Sequence, residues 1–200
     1  MQFLIQSTIA IIAIMDPLGA APIFMGLTDK MTGWQRTQAA VRASFYCIVI
    51  LTVSAFGGEW ILRAFGVTLP AFQVGGGLVI VLMGLEMLGG RPTRVQHDRK
   101  EPGEDDTVLV PFTMPLIAGP GAITTVVTLT AQHPNISGKL ITLLAIGLAT
   151  VVLLVTLLSA NWLKEHISYH RQKVFLRFMG LILLAIGAQL LLTGVQKFLQ

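Results

Sequence analysis

The residues best placed to do chemistry are Asp16 and the backbone around it, in Asp16-Pro17-Leu18-Gly19-Ala20-Ala21-Pro22. Asp16 is the only acid deep in the first half of the chain, inside the otherwise apolar segment 3–27. A carboxylate in such a segment is costly and is expected to face the interior of a bundle. There it can bind an ammonium group or carry a proton. The alternative role is a cap on an interrupted helix. Proline removes a backbone donor and clashes with the carbonyl four residues back. Pro17 and Pro22 are therefore expected to open the helix.

A second stretch, Pro115-Leu116-Ile117-Ala118-Gly119-Pro120-Gly121, echoes the first. Shifted by 98 positions, Pro17, Leu18, Ala20 and Pro22 fall on Pro115, Leu116, Ala118 and Pro120. Asp16 falls on Met114, so the charge is not duplicated. Pro120 suits the first turn of a restarting half-helix, and Pro22 is expected to serve likewise. Gly19, Gly119 and Gly121 let a ligand approach the backbone. An opened helix exposes N–H groups at one half-end and carbonyls at the other. Lipid cannot satisfy them, so the opening must line a covered or wet cavity. The N–H end attracts an anion. Two broken segments at matching places in two halves are a pointer to a transporter binding site. A plain proline kink is the competing account of each break alone. Non-helical backbone is expected near 16–21 and 116–119, with the two breaks meeting near the midplane.

Other polar residues are less telling. Thr124 and Thr125 follow the second break by one turn, where their hydroxyls either contact a ligand or bond back to their own helix. Gly77 and Gly84, with Gly180 and Gly187, are seven apart, which places each pair on one helix face for close packing. Glu86 and Gln189 are expected near membrane ends. His166 and His170 have i, i+4 spacing but no accompanying ligands, so no metal is expected. Asn135-Ile136-Ser137 fits the glycosylation pattern, a weak signal in a short loop. Cys47 lies mid-span and reads as a small buried hydrophobe. No nucleotide-binding or zinc-protease pattern occurs, and no clustered acid, base or nucleophile marks an enzyme. No cofactor is implied.

The elements that must position these residues are membrane helices. Hydrophobic residues make up 54% of the chain and charged residues 12%, about half the share usual in globular proteins, ~25%. Six apolar runs of roughly 20 residues, the length that crosses a bilayer core, alternate with short polar clusters. They cover about 3–28, 38–58, 70–89, 107–131, 139–160 and 174–196. The N-terminus lacks the basic region and cleavage site of a removed signal peptide. Residues 91–106 form one hydrophilic linker whose composition cannot bury a core. The chain thus divides into a first three-helix repeat (1–90), a linker (91–106) and a second three-helix repeat (107–200).

The halves correspond beyond the breaks. Phe72, Gly77, Leu78, Gly84 and Leu88 match Phe175, Gly180, Leu181, Gly187 and Leu191 at an offset of 103. Trp60 and Trp162, 102 apart, each close the second span of their half. Three spans per half is an odd number, so the second half must enter from the opposite side as an inverted repeat. Loops after the first, third and fifth spans hold eleven Lys and Arg, against three on the other side. Basic residues stay inside, which puts both termini outside. The net charge of +4 is therefore loop charge rather than a nucleic-acid footprint. A rival topology makes the broken segments re-entrant, but the charges then split nine to five.

The motifs Asp16-Pro17-Leu18-Gly19 with Pro22, and Pro115-Leu116 with Gly119-Pro120-Gly121-Ala122-Ile123-Thr124-Thr125, resemble the MarC family of bacterial inner-membrane proteins. The resemblance covers essentially the whole chain, and the second motif is the more specific. The family is similar to small neutral amino-acid transporters of the SnatA type and is grouped with the LysE-like exporters. The resemblance implies six spans and movement of alanine, glycine or similar solutes. A zwitterion needs an anion site beside a cation site. Half-helix N-termini after Pro22 and Pro120 are expected to supply the first, and Asp16 with orphan carbonyls the second. Gly19, Ala20, Ala21, Ala118 and Gly119 would leave a small pocket. The expectation is an all-α secondary transporter, an exporter in direction, driven by a proton or sodium gradient. It would lie in lipid, bind no nucleic acid, and be free to form a homo-oligomer. Export of other small solutes, or a structural or assembly role without transport, is the alternative.

Overall fold

The computed structural model describes residues 1–89, 117–160, 162 and 169–199, with 169–173 described by backbone alone. All regular structure among them is helical: α1 (Gln2–Met15), α2 (Pro17–Leu27), α3 (Gly33–Ala64), α4 (Leu69–Leu88), α5 (Pro120–Gln132), α6 (Ile136–Leu158) and α7 (Tyr169–Phe198). The linker 91–106, the start of the fourth span at 107–116, and His166 lie outside the described residues.

Five described stretches are long and apolar enough to cross a membrane: Gln2–Leu27, Gly33–Ala64, Leu69–Leu88, Ile136–Leu158 and Val174–Phe198. They correspond to the first, second, third, fifth and sixth apolar runs. Helix α5 has 13 residues, about 20 Å at 1.5 Å per residue, too short alone for a core of ~30 Å.

The polar connectors stop and start these helices by local chemistry. Thr32 and Gln35 form a capping box at the start of α3: the Thr32 N–H donates to Gln35 Oε1 at 2.9 Å and the Gln35 N–H to Thr32 Oγ1 at 3.4 Å. Gly66, at φ 68°, ends α3. Its N–H donates to the Arg63 carbonyl and that of Val67 to the Leu62 carbonyl, satisfying carbonyls that the last turn leaves open. Thr68 caps α4, and Asn135 caps α6 through the Gly138 N–H at 2.8 Å.

The bundle is held by small residues on facing helices. Ala39, Ala40, Ala43 and Cys47 of α3, and Ala145, Ile146, Ala149 and Leu153 of α6, are almost wholly buried. Small side chains let helix backbones approach, and dispersion at that close range replaces the hydrophobic drive that lipid does not supply. The opposite faces, with Phe45, Val53 and Phe56 on α3 and Leu144, Leu148 and Val151 on α6, are exposed and apolar, as a lipid-facing surface must be. Helix α6 packs against α1, α2 and α3, while α5 fits among α1, α3 and α4.

The closest pairing joins α4 and α7 along their length. A Cβ at Gly77 would come within 2.8 Å of the Gly187 carbonyl, and one at Gly84 within 2.8 Å of the Gly180 carbonyl. Early residues of one helix face late residues of the other, so the two run antiparallel. The seven-residue glycine spacing serves the close packing that the sequence suggested.

Candidate functional site

The first break is one residue wide. Helix α1 ends at Met15 and α2 begins at Pro17, with Asp16 between them at φ 41°, ψ 65°. Asp16 is the only described non-glycine residue at positive φ, in the left-handed region that Asp and Asn tolerate better than other side chains. Its N–H still donates to the Ile12 carbonyl at 3.0 Å, closing α1. Its Oδ1 accepts from the Gly19 N–H at 3.2 Å, capping α2. Proline at N1 costs nothing because that N–H has no intrahelical partner.

Two expectations are corrected here. Residues 17–21 are helical, not open, because Pro17 rather than Pro22 starts the second half-helix. Pro22 sits inside α2 and is exposed. Either proline satisfies the first-turn rule, but only Pro17 has a capping side chain immediately before it. The interruption is consequently a sharp left-handed corner. Pro22 cannot donate to the Leu18 carbonyl, so α2 loses one backbone bond, whereas Pro17 leaves only the Ala13 carbonyl at the end of α1 open.

Gly19 has a steric reason. A Cβ there would overlap the Asp16 carboxylate, which folds back over the first turn of α2. Asp16 and Gly19 are half-buried, while Pro17, Ala20 and Ala21 are buried.

At the second break non-helical backbone is expected over 116–119, but Leu116 lies outside the described residues and Ile117 is in a π-helical turn. Ala118 and Gly119 are non-helical and buried, and α5 starts at Pro120 with Gly119 as N-cap. No side chain caps this end, so the Gly121 and Ala122 N–H groups gain no partner from a capping residue. Pro120 is exposed and Gly121 buried. The two helix restarts therefore differ: α2 carries its own carboxylate on its N-terminus, and α5 carries none.

Thr124 and Thr125 are buried, and their hydroxyls donate back to the Pro120 and Gly121 carbonyls at 2.8 and 2.9 Å. The Thr124 side chain also fills the space where Gly76 lacks a Cβ, locking α5 to α4. Sequence reasoning missed this role for Gly76, because a glycine on another span carries no mark of its partner.

The breaks are brought together at Gly121. A Cβ there would lie 3.4 Å from Ile14 Cγ2 and 2.9 Å from Ile80 Cγ1. Ile14 is in the last turn of α1, two residues before Asp16. Met15, Ala20, Ala21, Ile117, Ala118 and Ala122 belong to one contiguous buried cluster. The surroundings of the breaks are thus apolar and closely packed among the described residues, with Asp16 beside them. A surface depression lined by Glu59, Arg63, Gly66 and Thr68 sits at the α3–α4 turn and shares no residue with the breaks. Among the described residues no three His, Cys, Asp or Glu side chains gather as a metal site.

Comparison with known proteins gives the chain its relatives. It is 34% identical over 199 residues to a UPF0056 membrane protein of Methanocaldococcus jannaschii, covering 98% of this chain and 97% of that one. It is 36% identical over 185 residues to one from Pyrococcus horikoshii, covering 92% and 90%. With YhcE, a UPF0056 membrane protein of Escherichia coli, it shares 29% over 192 residues, covering 94% and 89%. No solved structure matches. The family model described as MarC family integral membrane protein matches residues 1–199, and the chain belongs to that family.

Proposed function

We propose that this integral membrane protein is a secondary transporter of small neutral amino acids such as alanine or glycine, bound where the two breaks meet. The observation that carries the reading is the contact of Gly121, at the uncapped start of α5, with the last turn of α1 beside Asp16. The Gly121 and Ala122 N–H groups supply the carboxylate site. Asp16 and the C-terminal carbonyls of α1 supply the ammonium site. Only the start of α5 is open to an anion on this reading, rather than the helix starts after both Pro22 and Pro120, because the Asp16 carboxylate already accepts from the Gly19 N–H at the N-terminus of α2.

Ala20, Ala21, Ala118 and Gly119 favour a substrate with a short side chain. Thr124 and Thr125 shape the site by packing and by bonding their own helix. Alternating access between inverted halves gains support from α4 and α7. Gly77 faces Gly187 and Gly84 faces Gly180. At the offset of 103 each residue meets the counterpart of the other's position, the exchange that a twofold axis gives. The reading also places the protein in the bacterial inner membrane with both termini outside, exporting its solute at the expense of a proton or sodium gradient.

The cap made by Asp16 favours a second reading, a structural membrane protein whose corner needs only an N-cap. The experiment that separates them is counterflow of labelled alanine and glycine in proteoliposomes. Saturable exchange, competed by unlabelled alanine, is the expected result. Its absence in folded protein, with every gradient supplied, removes transport of these solutes and leaves the structural reading.

A further inference from the structure

A second polar site lies away from the breaks. At the Gly121 contact, Ile14 of α1 and Ile80 of α4 converge on α5. Further along, Thr124 meets Gly76, and the Phe3 and His133 rings lie 3.8 Å apart. As numbering rises along α5 it falls along α1 and α4, so both run antiparallel to α5. Seven residues is nearly two helical turns, a rotation within about 20° of the starting face and a rise of about 10 Å. Moving each member of the Gly121, Ile14 and Ile80 contact by seven, in the direction the antiparallel packing requires, gives Thr128, Ser7 and Gln73.

These three are polar, and they are 3%, 1% and 0% exposed. Ser7 Oγ, Thr128 Oγ1 and both amide atoms of Gln73 are buried without a hydrogen-bond partner among the described residues. Native proteins rarely leave such groups unmet, since each orphan bears its full desolvation cost. Ser44 Oγ and His133 Nδ1 are likewise buried without a partner among the described residues, outside this group of three. By helix register the three of the group fall at one level of three neighbouring helices, on the faces that approach one another two turns away.

We propose that Ser7, Gln73 and Thr128 form an uncharged hydrogen-bonding site about two turns from the breaks, taking a small ligand that both donates and accepts. Gln73 offers two donors and a carbonyl, and each hydroxyl one donor and its lone pairs. No formal charge faces the site from these three side chains, so the set fits water or the polar end of a small solute. The helix level between this site and the His133 end is short. Together with Thr124 it continues a polar face of α5 from the breaks toward that end.

The test is hydroxyl-radical labelling by X-ray radiolysis of the intact protein in detergent, read by mass spectrometry. Buried side chains beside held water are labelled, and equally buried dry ones are not. Read at their buried side chains, segments 7–11 and 126–130 are expected to label several-fold more than segment 145–153 of α6, compared at Ile146 and Leu153. Gln73→Met, close in volume and apolar, is expected to abolish the difference and lower the melting temperature. Thr128→Val provides the same test if Gln73→Met fails to fold. Equal labelling of all three segments in the wild type overturns the proposal. So does a higher melting temperature for Gln73→Met, the result for a dry site relieved of two orphans. Alanine counterflow separates the sources, and this arm alone rests on the transport reading. An unchanged KM assigns the site to resident water, and a several-fold higher KM to the moving solute. A protein that moves no alanine leaves the labelling result to stand by itself.

Discussion

Asp16 has two duties that one substitution can separate. Its backbone holds the left-handed corner, and Oδ1 caps α2 on the Gly19 N–H. Asn is the other side chain that tolerates this corner, and it caps nearly as well as Asp. Asp16→Asn therefore keeps the geometry and removes the charge. If the carboxylate holds an ammonium group, the lost charged hydrogen bond is worth about 1.5–3 kcal/mol. At 1.36 kcal/mol per decade this lowers kcat/KM roughly tenfold to a hundredfold. Asp16→Ala adds structural damage. It loses the cap, about 1 kcal/mol, and with it the local hydrogen bonding that lets Asp hold the left-handed region, whose cost for an L-residue is about 1–2 kcal/mol. For a chain of this size 2 kcal/mol corresponds to a melting temperature lower by about 4–8 °C. The assay pairs alanine counterflow at matched protein amounts with thermal melting in detergent. The expected pattern is Asn slow but stable and Ala slow and unstable. Wild-type flux from Asp16→Asn at every pH tested would refute the cation role and leave Asp16 as a cap.

Other substitutions read the packing. Gly19→Ala displaces the Asp16 carboxylate from α2 and is expected to cost about the value of the cap, ~1 kcal/mol, in thermal melting, although its helical backbone accepts alanine. Gly84→Val drives a side chain into the backbone of α7 and is expected to prevent recovery of folded protein, read by size-exclusion elution. Gly147→Ala on α6, with nothing within 4 Å, is expected to raise stability by up to about 1 kcal/mol through helix propensity alone. A reporter fused after Gln200 is expected to be active only as an external enzyme, and cytoplasmic activity would overturn the orientation drawn from the loop charges.

The sequence made the helices legible because lipid imposes a simple rule: length and apolarity suffice to mark a span. The breaks were legible too, since Pro17, Pro120 and their glycines have few uses in a continuous helix. Their width was not. Whether Pro17 or Pro22 restarts the helix depends on which has a capping side chain seated before it, and Asp16 settles this through a hydrogen bond to Gly19. The glycine pairs of α4 and α7 could be read because their seven-residue spacing repeats within one helix. Gly76 with Thr124, and Ser7 with Gln73 and Thr128, could not. Each lies on a different span, and only helix register brings them to one level.

That register also bears on how two similar halves would make the proposed site with two different ends. The repeat supplies a break to each half, but the charge falls on Asp16 and its counterpart is Met114. One half-helix is consequently neutralised at its N-terminus by its own carboxylate, while the other keeps its dipole open. Two identical breaks would offer an anion two equal sites and a cation none. Gly19 on Ile117 and Ala21 on Gly119 are further differences, but on the proposed reading it is the unmatched Asp16 that gives one break an acceptor end while the other keeps a donor end, and a zwitterion requires both. The same asymmetry recurs two turns away. Gln73 corresponds at the offset of 103 to Leu176, so the second half does not repeat the amide of the Ser7, Gln73 and Thr128 site. The repeat marks which two segments are interrupted, but the restarts are not equivalent, at Pro17 in the first and at Pro120, the counterpart of Pro22, in the second, and on the proposed reading these departures decide what each break can bind.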